Sequence, residues 1–268
     1  MPELPDVENF RRFLERTALD RTVADIAVIN ERVLHRTSPA ALRKAVRGHR
    51  FEQTCRHGKH LFVRLDNARW LTFHFGMTGG FQTFRDLKDE PRHDRVRFDF
   101  ADGNHLAFVD QRLFGDVGIT KDVGEFVEEH ELGPDALGLK ETEFAKIVTS
   151  RSRKLKSLLM DQAQIAGIGN EYSDEILFHA RLHPETRTNA LKPDEISGLY
   201  RAMRYVLRTA IERGAGMEGF EKRMPADFLL SRRREGAPCP VCGTAVEAIR
   251  FGGRTAYYCP RCQPGPGH

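Results

Sequence analysis

The 268-residue sequence predicts an α+β protein in which strands and helices occupy different stretches of the chain, closed by a small metal-dependent module. Three observations predict it. Short apolar segments with a period of two fill the first half. Apolar residues with a helical period fill the second half. Four cysteines in two closely spaced pairs end the chain.

The first element is a helix beginning near Pro5, because Val7, Phe10, Leu14 and Ala18 recur at three- and four-residue spacing and proline suits a first turn. It follows "MPELP". Removing Met1 would leave Pro2 at the terminus as a free secondary amine with Glu3 beside it, although Met-Pro is also an ordinary start. The strands come next, in "VADIAVI", "HLFVRL", "WLTFHF", "RVRFDF" and "HLAFVD". In "RVRFDF", Val96, Phe98 and Phe100 alternate with Arg95, Arg97 and Asp99, as in a half-buried strand. "HELGPDALG" suggests a linker near residues 131–138. Beyond it "EFAKIV", "LKSLLMDQ", "NEYSDEILFHA" and "PDEISGLYRAMRYVLRTAIERG" read as helices, the last with Ile196, Leu199, Met203, Leu207 and Ala210 or Ile211 on one face. From about Pro238 the chain is too short and too rich in Gly and Pro to hold a core. The expected divisions are a β-sandwich domain over 1–130, a helical domain over 131–236 and a zinc finger over 237–268.

At 40% hydrophobic residues the chain can bury a sizeable core, and its length suits two or three domains. The charged start is unlike a signal peptide, and no apolar run approaches the roughly 18 residues of a membrane span. A cytoplasmic location is expected. The formal net charge is +4, but residues 201–268 hold 12 Lys and Arg against 6 Asp and Glu, so residues 1–200 carry a net −2. With Arg151, Arg153, Lys154, Lys156 and the run Arg232-Arg233-Arg234, the basic excess is either a set of solvated faces or a surface for a polyanion.

Cys239, Cys242, Cys259 and Cys262 read C-x2-C-x16-C-x2-C. Two such knuckles can place four thiolates tetrahedrally around zinc, whose binding then folds the segment. Four thiolates leave no open position, so one structural Zn2+ is expected. Cys55 remains as an inert buried thiol. Between the knuckles, "FGGRTAYYC" presents Arg254 near a hairpin tip, as plain surface charge or as a phosphate contact.

"PELPDVE", "GKHLF", "HFGMTG", "DQRLFG", "LMDQ…GIGNEYSDEILF" and the cysteine pattern occur in one order from end to end. In this the chain resembles the formamidopyrimidine-DNA glycosylase/endonuclease VIII family, and "PELP" with "GIGN" is similar to the formamidopyrimidine branch. The resemblance implies excision of oxidised or ring-opened bases from duplex DNA, followed by strand cleavage at the abasic site. DNA would cross a cleft between the β-sandwich and the helical domain, whose helix–two-turns–helix element holds "GIGN". It implies that Pro2 is the nucleophile, Glu3 the general acid/base, Lys59 an aid to elimination and Arg254 a late elimination and phosphate residue. An α-amino group titrates near neutral pH, so a useful fraction is available for attack.

By the same resemblance Met77, Arg112 and Phe114 fill the space left by a flipped nucleotide, while His93, Arg151 and Asn170 contact DNA. "DQRLFG" departs from the family's usual Pro after Asp and Arg before Phe, and Glu171 stands where an apolar residue is usual. The stretch before the zinc finger is shorter than in relatives that prefer 8-oxoguanine. That implies better processing of formamidopyrimidines, oxidised pyrimidines or abasic sites. A monomer acting on damaged duplex DNA is the expected state. An abasic-site lyase without useful base excision, and a non-catalytic zinc-ribbon DNA-binding protein, are the alternatives.

Overall fold

The computed structural model describes residues 1–265; residues 266–268 of the expected zinc finger lie outside it. The chain divides into two compact units, Met1–His130 and Glu131–His268.

The first unit opens with helix α1 (Leu4–Thr17), with proline in its first turn. The Glu3 backbone N–H donates to the Asp6 carboxylate at 2.8 Å, which satisfies one donor at the entry. Strands β1 (Val23–Val28), β2 (Phe51–His57), β3 (His60–Leu65), β4 (Trp70–His74), β5 (Gly79–Phe84), β6 (Asp94–Phe100), β7 (His105–Asp110) and β8 (Asp116–Thr120) follow. Helix α2 (Pro39–Val46) interrupts them and α3 (Val123–Glu129) ends the unit.

The strands form two antiparallel four-stranded sheets, ordered β1-β6-β7-β5 and β2-β3-β4-β8. They pack face to face through aromatic rings: Phe51 lies 5.7 Å from Phe98, and Phe73 lies 5.1 Å from Phe81 and 5.9 Å from Phe108. The alternation in "RVRFDF" is the cause, because Val96, Phe98 and Phe100 all face this core. Helix α1 closes one end, with Phe10 4.7 Å from Phe75.

The second unit holds α4 (Glu141–Thr149), α5 (Leu155–Met160), α6 (Asn170–His179), α7 (Pro193–Glu212) and the short α8 (Phe220–Arg223). Ile196, Leu199, Met203 and Leu207, expected on the long helix face, are buried, and so are both alternatives for its last position, Ala210 and Ile211. The stretch expected as a linker belongs to this unit. Ala136 is buried, and the Ala166 N–H donates to the Pro134 carbonyl at 2.9 Å while the Ala136 N–H donates to the Ala166 carbonyl at 3.0 Å. Its backbone found partners in the loop after α5, which no periodicity announces. The chain ends in a hairpin of β9 (Glu247–Phe251) and β10 (Arg254–Tyr258). No helix among the described residues is long and apolar enough to cross a membrane.

Candidate active site and nucleic-acid interface

Pro2 and Glu3 sit at the mouth of α1. Pro2 is partly exposed and Glu3, the N-cap residue of α1, is 1% exposed, with its side chain accepting from the backbone of the first turn. Lys59 lies in the turn between β2 and β3 and is also buried. Arg56 ties that turn to α1, with Nε 3.3 Å from the Glu8 carboxylate and Nη1 donating to the Gly58 carbonyl at 2.9 Å. Burial pushes the Glu8 carboxyl up, but its hydrogen bond to Arg11 and the charges of Arg11 and Arg56 outweigh this and hold it below the usual range. Glu8 therefore stays ionised as the clasp.

Two exposed turns lie at the end where Phe10 packs on Phe75. Met77 is 41% exposed and Phe114 is 56% exposed, large apolar surface that folding leaves in water. The two turns are strapped together by Asp110, which is fully buried. Its carboxylate accepts from the Thr78 hydroxyl at 2.5 Å, the Arg112 N–H at 3.1 Å and the Gly115 N–H at 2.8 Å. Gly76 completes the strap: a Cβ there would lie 2.3 Å from the Phe114 carbonyl carbon, so only glycine allows the approach. The Arg112 guanidinium stands 5.0 Å from the Phe114 ring centre. His93 has φ +71° and its Nδ1 lies 3.3 Å from Arg95 Nη2. Asp110, which the sequence reading passed over, is thus the residue that organises Met77, Arg112 and Phe114. Its signal is the "DQRLFG" turn itself, where an Asp follows an apolar strand.

A histidine group beneath β3 and β4 also went unremarked. The His60 ring centre is 5.0 Å from His74 and 6.0 Å from His130. Burial lowers His60 to about 3 and His74 to about 4, helped in His60 by the neighbouring histidines and in both by Lys59. Cys55 is half-buried rather than buried, and desolvation lifts its thiol to about 11, which fits an inert thiol.

In the second unit, the loop Gly167–Gly169 leads into α6, whose first residue is Asn170. The Asn170 amide donates to the Thr255 carbonyl at 3.2 Å, which brings it within one residue of Arg254. Arg254 is exposed and opens β10 directly after the Gly252-Gly253 turn, where both glycines have positive φ. Arg151 is exposed in the loop before α5, and its carbonyl accepts from the Thr188 hydroxyl at 2.7 Å.

The four cysteine sulfurs lie within 4.8 Å of one another. Individual separations are 3.9 Å for Cys239 and Cys262, and 3.5 Å from Cys242 to each of Cys259 and Cys262. A tetrahedron with zinc–sulfur bonds of ~2.3 Å has edges of about 3.8 Å, so the donor set fits one Zn2+. The ion would act as a structural crosslink. Around the sulfurs, Phe178, Leu229 and Val246 are buried, and the fully buried Gln263 accepts from the Cys259 N–H at 3.0 Å and donates to the Leu182 carbonyl at 2.9 Å.

Three family models match in order: the formamidopyrimidine-DNA glycosylase N-terminal domain over residues 1–117, the H2TH domain of the same enzymes over 132–222, and a zinc finger found in FPG and IleRS over 236–265. The formamidopyrimidine-DNA glycosylase of Symbiobacterium thermophilum is 35% identical, over 99% of this chain and 90% of the relative. That of Acidothermus cellulolyticus is 36% identical, over 99% of this chain and 98% of the relative. Among solved structures, Lactococcus lactis Fpg in complex with DNA containing an abasic site aligns with a TM-score of 0.86 at 27% identity, over 98% of this chain and 100% of that one. The wild-type Lactococcus lactis enzyme with DNA containing N7-benzyl-Fapy-dG aligns with a TM-score of 0.88 at 27% identity and the same coverage. The three models match in the order of the two-sheet unit, the helices around α6 and the four-cysteine hairpin, and the relatives align over nearly the whole chain, which belongs to the formamidopyrimidine-DNA glycosylase family.

Proposed function

We propose that the protein excises oxidised or ring-opened bases from duplex DNA and cleaves the abasic strand, with Pro2 as nucleophile. The observation that carries this is the Pro2-Glu3 pair at the entry of α1 in a chain that matches the family throughout. With Met1 removed, the Pro2 nitrogen becomes a secondary amine. Its lone pair attacks C1′ of the damaged nucleotide, the bond to the base breaks with the base leaving as the electron-pair acceptor, and loss of the amine proton with sugar ring opening leaves an iminium. Glu3, held close by, supplies and recovers protons. Loss of the C2′ proton then expels the 3′ phosphate, with Lys59 assisting and Arg254 serving the second elimination at the 5′ side.

Met77, Arg112 and Phe114 fill the vacated stack, Phe114 as the apolar wedge and Arg112 toward the unpaired base. His93, Arg151 and Asn170 contact the DNA backbone. Acting on genomic DNA, the protein works in the cytoplasm. Borohydride reduces an iminium to a stable amine, so it should fix the protein to abasic DNA through Pro2. Pro2→Gly should lose most of that yield, and undiminished crosslinking through a lysine in the variant would refute the assignment.

A further inference from the structure

Of the three consecutive arginines that end the stretch before the zinc knuckle, Arg232 and Arg234 are exposed while the Arg233 side chain is 13% exposed. Arg233 turns toward Asp174, a fully buried carboxylate on α6. One Asp174 oxygen accepts from Lys156 Nζ at 2.6 Å. The other accepts from Arg233 Nη2 at 2.9 Å, Arg233 Nε at 3.2 Å and the Tyr257 N–H at 3.2 Å. Arg233 Nη2 also lies 3.4 Å from the Asn170 carbonyl, Nη1 lies 3.8 Å from the Glu171 carboxylate, and the guanidinium stands 5.3 Å from the Tyr257 ring centre.

One side chain therefore joins the segment before the knuckle, the first turn of α6 and the second hairpin strand. Lys156 and Arg233 together balance Asp174 and Glu171. Without Arg233, the Asp174 carboxylate would keep only one cationic partner among these four, and the link from α6 to the hairpin strand through the guanidinium would be lost. Asn170 is the hinge of this arrangement: its amide NH2 donates to the Thr255 carbonyl, and its Oδ1 is buried with no hydrogen-bond partner among the described residues.

We propose that Arg233 is a positioning residue for phosphate binding, clamping the zinc hairpin onto the first turn of α6 so that Asn170 and Arg254 meet the DNA backbone as one unit. This rests on the reading of Asn170 as a phosphate contact. Iminium formation at Pro2 precedes the elimination assigned to Arg254, so loss of the clamp should weaken binding and leave the trapped step alone.

The test uses the zinc-loaded full chain as wild type, Arg233→Gln, Asn170→Ala and the double variant. Each is titrated against a duplex with a tetrahydrofuran abasic analogue, and borohydride trapping is timed at saturating abasic DNA. Arg233→Gln should weaken binding about tenfold with the saturated trapping rate within about twofold of wild type. In the Asn170→Ala background the same change should cost less than about twofold, because the two residues act as one. Losses that multiply, or an unchanged affinity in Arg233→Gln, would overturn the proposal. Wild-type binding by Asn170→Ala would instead remove the Asn170 reading and the proposal with it. Should Arg233→Gln lose zinc or its fold, Arg233→Lys carries the same comparison, with about a threefold loss expected since the charge stays and the two-pronged contact goes.

Discussion

Phe114 and Asp110 share a turn and have opposite duties. Phe114 spends its apolar surface on water, so Phe114→Ala should leave unfolding free energy within about 0.5 kcal/mol of wild type while weakening binding to an abasic-analogue duplex. The buried Asp110 carboxylate receives three hydrogen bonds, and Asp110→Ala should cost about 2–3 kcal/mol in urea unfolding, since it strands the buried Gly115 N–H and takes an acceptor from the Thr78 hydroxyl, while the Arg112 N–H keeps its bond to the Thr78 hydroxyl oxygen at 3.1 Å. Equal stability losses in the two variants would contradict this division. His60 makes a different prediction. Its imidazole is neutral in the folded protein down to about pH 3 but takes a proton near pH 6.5 when unfolded. Over that window the unfolded state binds more protons, so the His60 contribution to stability is full above about pH 6.5 and is lost progressively as pH falls toward 3. His60→Phe, which cannot titrate, should show a shallower fall in melting temperature between pH 6.5 and 4. A slope equal to wild type would show that His60 does not feel the burial drawn here.

At the scale of elements, the zinc hairpin differs from the strands of the first unit in what makes it possible. Among the described residues β9 and β10 form a sheet of two strands, and a two-stranded hairpin is marginal in water. Its folding should follow the metal: chelation or Cys259→Ser should release the hairpin, and with it Arg254 and the Thr255 carbonyl that holds Asn170, so DNA affinity falls. Metal content near zero in folded, active protein would count against this. Two of the three strands of the first unit that show no clear pattern in the sequence, β2 and β5, are also informative. β2 "FEQTCRH" carries polar residues at most positions, and β5 "GGFQTF" opens on two glycines, so neither shows a period of two from end to end. Both form because neighbours hold them: β2 is bonded to β3, and β5 to β7. α2 is capped by Ser38, whose side chain accepts from the Ala41 N–H at 3.2 Å, a signal present in "SPAALRKAV".

For the whole molecule, the open question is which lesion is preferred. The stretch between α7 and the first cysteine is tied down. Arg223 donates to the carbonyls of Arg213 at 2.7 Å, Glu218 at 2.8 Å and Gly214 at 3.3 Å, and the N–H groups of Leu229 and Leu230 both donate to the buried Glu175 carboxylate, at 2.9 and 2.6 Å. A segment held this way has little length to fold over an extruded base. We expect formamidopyrimidines, oxidised pyrimidines or abasic sites to be processed faster than 8-oxoguanine opposite cytosine, because 8-oxoguanine must be separated from guanine by very few atoms. Single-turnover rates on matched duplexes decide it, and equal rates would show that this stretch is not limiting.

The sequence by itself determined the segregation of strands and helices, the face of the long helix, the four metal-ligating cysteines and the family, because each depends on residues close in the chain or on an ordered set of short motifs. The tertiary structure alone decided what those motifs do to one another. That Asp110 straps two turns from different strands, that Arg233 is turned inward while its two neighbours face water, and that the rings of His60, His74 and His130 gather in one group are consequences of packing between segments far apart in sequence. A charge reads the same in a sequence whether it meets solvent or a buried carboxylate. Only the fold sets the desolvation and the partner that give it a role.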